Sequence, residues 1–282
     1  SVSALDATQV GAMSTTQVKS LTATQLGGLD AADVAEFTTT QIGALQNTQL
    51  IALTSTNMAN LAETQIAAIS AIGVKALTAT NFAALAETQL GALTTTHIAS
   101  LTTSQLSALT STKFMSFTST QLAALTTTQV GSISETNLSA LEATQVNGLS
   151  TTQLQRLSAT QLNGLSTTDI GEFTTTQAAA LTTTQVRGLS TTNIGALADT
   201  QVAALTTTQL SSLTTTNLSA LDLTQVAALS TTQVRSLAAT QLTGLTATDV
   251  AEFTADQIGA LNGTQAQGLT ATNVADLVDT QI

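Results

Sequence analysis

The chain has 282 residues, of which 43% are apolar but only 2% aromatic and 8% charged. It contains no Cys, Pro, Trp or Tyr, and its formal net charge is −11. Ordinary proteins carry roughly 25% charged residues, and the six basic ones here (Lys19, Lys75, Lys113, Arg156, Arg187, Arg235) stand singly. That excludes a phosphate-tracking surface and argues against nucleic acid as a partner. No disulfide framework is available, no apolar run approaches the length of a membrane span, and no secretory leader pattern is visible.

From Leu5, every eighth position to Leu277 is apolar: 35 positions, 28 of them Leu, the others Met13, Phe37, Ile69, Phe117, Ile133, Phe173 and Phe253. Five residues after each comes a second apolar residue, from Val10 to Ile282, reduced only at Ala178 and Ala266. A short period held without insertion marks a repeat architecture and takes precedence over any local feature. Thr-rich disordered stalks are Pro-rich and lack such an apolar pattern.

The octad Leu205-Thr206-Thr207-Thr208-Gln209-Leu210-Ser211-Ser212 shows what each copy encodes. Neither the five-residue step to Leu210 nor the three-residue step on to Leu213 fits the period of two that buries one face of a strand. Thr206 and Gln209 instead form the Ser/Thr-x-x-Glu/Gln capping box, with the hydroxyl accepting from the third helical N–H and the amide reaching back to the cap. Leu205 then stands at N′ and Leu210 at N4, the two positions of the hydrophobic staple. The next cap follows eight residues later, leaving a helix of about six residues, one and a half turns. Such a helix persists only by stacking on its neighbours. The small residue before each Leu, such as Ala204, Ser212 or Gly244, allows close backbone approach at the corner.

The expected fold is therefore all-α: a single octapeptide-repeat solenoid over 1–282, with one very short capped helix per octad. The alternative is a β-solenoid of about 24 residues per rung, favoured by abundant Thr. Leu rather than Val or Ile at the main buried site, the frequency of Ala and the capping pattern favour the helix.

In chain order a second period appears. Ser3-Ala4-Leu5-Asp6-Ala7-Thr8-Gln9-Val10 returns as Ser139-Ala140-Leu141-Glu142-Ala143-Thr144-Gln145-Val146, 136 residues later. The chain thus reads as about two copies of a 136-residue super-repeat. The Gln position is replaced at Asp33, Asn57, Asn81, Lys113, Asn137, Asp169, Asn193, Asn217, Asp249 and Asn273, in steps of three or four octads, with Gly73 and His97 outside the series. Five marks per 17 octads is one per 3.4 octads. Either the marks lie on one side of a solenoid, seen once per turn, or they record duplication alone. Phe37, Phe117, Phe173 and Phe253 each follow a marked position, the last three after steps of four, where a larger side chain would fill extra space.

No residue set promises chemistry. The i, i+3 carboxylate pairs Asp33/Glu36, Asp169/Glu172 and Asp249/Glu252 fall short of the six to eight oxygens that calcium takes, and read as solvated acidic spots. Acids early in a helix, such as Asp33 and Glu63, are favoured by its dipole. His97, the only His, reads as a substitution at an exposed cap. Thr recurs at 31 of 35 positions from Thr8 to Thr280, the exceptions being Ala32, Ile72, Ser104 and Asp256. The favoured reading is that this Thr stabilises the first turn and packs on the next unit; the other is a lattice that binds ice or a crystalline surface. No catalytic, cofactor-binding or metal-ligating residue is expected, and the chain is not expected to be an enzyme.

Leu-Thr-x-x-Gln-Val resembles the start of the repeats in transcription-activator-like effectors, but those units are longer and basic. Octads such as Leu181-Thr182-Thr183-Thr184-Gln185-Val186 are more similar to the Thr/Gln/Leu/Ala octapeptide tracts of large secreted or surface-anchored bacterial proteins of adhesin type. That resemblance implies an extracellular spacer or filament protein without a conserved site. The chain opens with Val2 and Leu5 in ordinary phase and stops at Asp279-Thr280-Gln281-Ile282, partway through a normal octad, without polar terminal repeats. End-to-end association of copies is the expectation.

Overall fold

The structure is a computed structural model that describes residues 4–278 and 281. Val2, Ser3, Asp279, Thr280 and Ile282, on which some of the expectations above fall, lie outside the described residues. Among those described, 33 α-helices of four to six residues follow one another from Ala7–Gly11 to Gly263–Gly268, with no strand. The helical reading holds and the β-solenoid is excluded. The chain divides into two compact units, Ser1–Gly148 and Leu149–Ile282, and both are built from the same octads.

Each helix begins as the octad dictates. In the helix Thr207–Ser212 the N-cap Thr206 is extended (φ −70°, ψ 157°), and its hydroxyl accepts from Gln209 N–H at 3.2 Å. Gln209 Oε1 accepts from Thr206 N–H at 2.7 Å, closing the capping box. The helix ends because Leu213 is again extended (φ −59°, ψ 142°), so the corner consists of the staple Leu and the next cap. Four caps lack a capping oxygen because they are Ala: Ala62, Ala86 and Ala198 are each followed at N1 by an acid, Glu63, Glu87 and Asp199, whereas Ala238 is followed by Ala239; Gln46 and Glu142 also cap without a side-chain bond. A carboxylate at N1 faces the positive end of the helix dipole, which partly replaces the lost hydroxyl.

Both apolar columns are interior: Leu205 is 3% exposed and Leu210 0%. Packing is between helices three apart in chain order. In the first unit Thr39–Ala44 lies on Glu63–Ala68, and in the second Thr183–Gly188 lies on Thr207–Ser212. The small residue before the staple Leu is needed where rungs touch. A Cβ on Gly244 would sit 2.5 Å from Thr215 Cγ2, and one on Gly148 2.8 Å from Ser119 Cβ. No described residue has positive φ, so these glycines provide space, not a special turn.

The Phe residues that follow the marked positions are all buried (Phe37 3%, Phe117 1%, Phe173 5%, Phe253 3%). Phe114 and Phe117 meet edge to face with ring centroids 5.6 Å apart. Beside Phe253 the space is not wholly filled: Leu242, Val250, Phe253, Ile258, Leu261 and Leu269 enclose a dry void with no room for a water molecule.

Replacing Thr206 with Ala removes one cap, at about 1 kcal/mol, and should lower the melting temperature by only a few degrees. Leu205→Asp places an unpaired carboxylate at a buried staple position and should lower it far more. Thermal melts of the two variants beside the parent check the phase assignment, which fails if both melt like the parent.

Candidate functional site

A helix of six residues or fewer has no interior. In these helices most N–H groups are among the first four and most C=O groups among the last four, the groups that lack intrahelical partners. The capping box serves the N-terminal groups. The carbonyls at the C-terminal end are served by the same Gln side chain, from the next rung.

Gln185 shows the full arrangement. Its Oε1 accepts from Thr182 N–H (2.8 Å) and its backbone N–H donates to Thr182 Oγ1 (3.1 Å), while Nε2 donates to Leu154 O and Leu157 O (both 2.8 Å). One side chain therefore joins the start of its own helix to the end of a helix 28 to 31 residues earlier. Gln105 repeats this in the first unit, with Nε2 at 2.8 Å from Val74 O and 3.0 Å from Leu77 O. Gln49, Gln129, Gln241, Gln257 and Gln265 bond the same pair of carbonyls. These side chains are buried, Gln185 to 4% and Gln105 to 1%. In the first rung Gln9, Gln17 and Gln25 only cap, and they are exposed.

The outer coat is Thr and Ser, and the amides form a buried ladder. Sequence reasoning found the capping half of the Gln role and missed the other half, whose only sequence signal is the near-invariance of an amide that a cap alone does not require.

The marked positions are steps of this ladder. Asn is one methylene shorter, and Asn81 and Asn217 reach the carbonyl 28 residues earlier (Leu53 O at 2.7 Å, Leu189 O at 3.0 Å), whereas Asn193 reaches Leu162 O at 2.8 Å. Lys113 directs its Nζ to Ala83 O. Asp249 has no proton to donate in its ionised form, and the polarity is reversed: Ser219 Oγ donates to Asp249 Oδ2 at 2.7 Å. In sequence, Asp33 and Asp169 likewise follow a Ser, Ser3 and Ser139, by 30 residues.

The marks also stack. The helices Ala31–Ala35, Ser55–Asn60 and Ala79–Ala83 lie on one another, the Lys113 bond links Ala79–Ala83 to Ser111–Met115, and the latter packs on Glu135–Leu138. In the second unit Thr167–Gly171, Thr191–Gly195 and Thr215–Leu218 stack, and Ser219 continues to Asp249. Within each unit the marks therefore follow one side, once per turn.

The carboxylate pairs are not simply solvated. Asp33 Oδ2 accepts from Asp30 N–H at 2.9 Å, in the place of the capping Gln. Glu36 has one carboxylate oxygen buried without a hydrogen-bond partner. Burial, then the charges of Asp249 and Asp222, push the Glu252 carboxyl above its usual range, while hydrogen bonds from Thr224 and Gln225 hold Asp222 below it. Among the described residues no group of three or more His, Cys, Asp or Glu is placed to hold a metal ion.

His97 corrects a further expectation. It is 5% exposed, not a surface cap: Nδ1 lies 3.1 Å from Thr94 N and Nε2 2.7 Å from Ile69 O. The recurrent Thr at the second helical position, from Thr8 to Thr272, is exposed in every described octad that carries it. It stands at the surface and is not buried against the next unit. An open groove of about 390 Å³ runs past the stacked Ala62 and Ala86, with Glu63 as its one ionisable group.

Two substitutions test these assignments. Gln185→Leu keeps the volume of a buried side chain but strands two carbonyls and one N–H, at 1–3 kcal/mol for each unsatisfied group. It should cost about 3 kcal/mol, well above the cost of a lost Thr cap, in urea unfolding. Glu252 has a raised folded-state pKa, so the folded chain holds its proton more tightly than the unfolded one and is less stable above that pKa. Glu252→Gln should therefore raise the melting temperature slightly at pH 7, and the advantage should fade as the pH falls toward 4.

The ALTTAQ repeat family model matches residues 179–207. No curated protein matches the chain. The match falls on Leu181-Thr182-Thr183-Thr184-Gln185, the segment whose Gln carries the ladder bonds described above, and the chain is a tandem-repeat protein built as a helical solenoid.

Proposed function

We propose that this chain is a structural, extracellular repeat protein of adhesin-like type on a bacterial surface, serving as a rigid spacer or as the subunit of a self-assembling filament, and that it is not an enzyme. The observation that carries the reading is the ladder. Each rung supplies the amides that satisfy the carbonyls of the one before it, so stability accrues by adding rungs, and the residue types under strongest constraint face inward. What faces outward is a repeated, weakly charged Thr and Ser coat that does little to repel a second copy. The net charge of −11 disfavours nucleic acid, and no helix among the described residues is long and apolar enough to cross a membrane.

End-to-end self-association would extend the same ladder chemistry from one copy to the next. A second reading, recognition of ice or polysaccharide, is favoured by the uninterrupted exposure of the second-position Thr. Sedimentation velocity over a hundredfold concentration range, with negative-stain images of the densest sample, separates the two forms of the first reading. End-to-end growth that an appended charged capping helix abolishes indicates a filament subunit, and a constant monomer indicates a spacer. Thermal hysteresis or selective retention on a glycan array, lost when surface Thr are replaced by Ser, would instead establish the second.

A further inference from the structure

The ladder has two adjacent weak steps. Gly73 brings no side chain, and a Cβ there would lie 2.7 Å from Leu50 Cδ1 and 2.8 Å from Ile69 Cγ2, so the amide's place is filled by apolar atoms. One rung on, in the helix Thr95–Ser100, which packs directly on Ala71–Ala76, the step is His97.

The surroundings of His97 select one protonation state. Thr94 N–H can only donate, so the ring atom facing it at 3.1 Å, Nδ1, must carry a lone pair. Ile69 O can only accept, so Nε2, at 2.7 Å, must carry the hydrogen. The neutral Nε2–H tautomer satisfies both. A second proton would go onto Nδ1, set it against Thr94 N–H, and place a cation where the side chain is 5% exposed.

We propose that His97 is a pH-operated joint: when the imidazole gains a proton, its Nδ1–H is set against Thr94 N–H and the charged ring is driven from its buried place, so that the Nε2 bond to Ile69 O that ties the helix Thr95–Ser100 to the preceding rung is given up, while the rungs pinned by Gln and Asn amides stay closed. The loss propagates one step. Gln129 Nε2 binds Ile98 O (2.9 Å) and Leu101 O (2.7 Å), both at the end of this helix, so its displacement removes the next anchor too. Gly73 beneath offers no amide in compensation.

The charged groups on packed elements do not offset this. Ala71–Ala76 carries Lys75, and Glu63–Ala68, whose C-cap is Ile69, carries Glu63; both residues are exposed. The helices Ser119–Ala123 and Thr127–Gly131 carry no ionisable group, nor does Thr103–Ser107, and Glu87 on the preceding Glu87–Gly91 is exposed. Burial, opposed only in part by the Ile69 carbonyl, holds the imidazole below its ordinary value of 6.5. With the folded-state pKa depressed, the unfolded chain takes up the proton first. The stabilisation is complete above the unfolded value and is lost as the pH falls through the folded one.

The test uses the full chain and its His97→Gln variant, which restores the residue the ladder uses elsewhere. Denaturation midpoints of the two should be similar at pH 8 and separate progressively between pH 7 and 5.5. The unfolding constant of the parent should rise relative to that of the variant by at most tenfold per pH unit, the limit for one proton. Carboxylate titration is common to both chains and cancels. Independently, the imidazole proton resonances of the folded parent should titrate below the ordinary His value, with the Thr94 amide resonance moving in step. A pH-independent difference between parent and variant, or an imidazole that titrates at or above 6.5 in the folded chain, overturns the proposal.

Discussion

Helices this short leave a large share of their backbone groups without partners of their own, and the architecture follows from how that debt is met. A buried unsatisfied N–H or C=O costs about 1–3 kcal/mol, and each octad creates several. The Gln amide meets it with one acceptor and two donors fixed on a single planar group: the oxygen turns back to its own cap, and the nitrogen reaches the end of a helix in the preceding rung. The period cannot drift, because a residue added to any octad would displace the amide from its carbonyls and the staple Leu from the core together. Unbroken spacing from Leu5 to Leu277 is what such a coupling demands.

The departures from Gln can be ordered by what they deliver. Gln spans two carbonyls, Asn reaches one or two from a shorter stem, His97 reaches one in a single tautomer, Lys113 brings a cation, Asp249 accepts a hydrogen bond from the opposite side, and Gly73 brings nothing. The Asp substitution works only because Ser219 supplies the donor, and this two-site exchange explains why a carboxylate is tolerated on an otherwise amide ladder. Nearby, burial and then the charges of Asp249 and Asp222 make the Glu252 carboxyl hold its proton more tightly than usual.

Interior and exterior are thus under different physical control. Inside, each position faces a hydrogen-bond or packing requirement, and its variation is confined to side chains that reach the same atoms. Outside, Thr and Ser recur at the caps, where their oxygens accept from the third helical N–H, and Thr recurs at the second helical position, where it faces solvent. A body organised in this way gains from length and uniformity.

Much of this was legible without coordinates. The octad phase, the N-cap at Thr206, the capping box with Gln209, the staple pair Leu205 and Leu210, and the helix length all follow from local periodicity and from bonds that span three residues. The recurrence of the marked positions every 3.4 octads pointed to one side of a turn, although duplication explained it equally well until the stacked helices were seen. What only the tertiary structure decided lies 25 to 31 residues away along the chain: the second bond of each Gln, the burial of His97, the Ser219 to Asp249 exchange, and the exposure of the second-position Thr. The physical reason is that a three-residue bond is set by helix geometry alone. A contact across a rung depends on how many octads complete one turn and on which atoms that winding brings opposite each other.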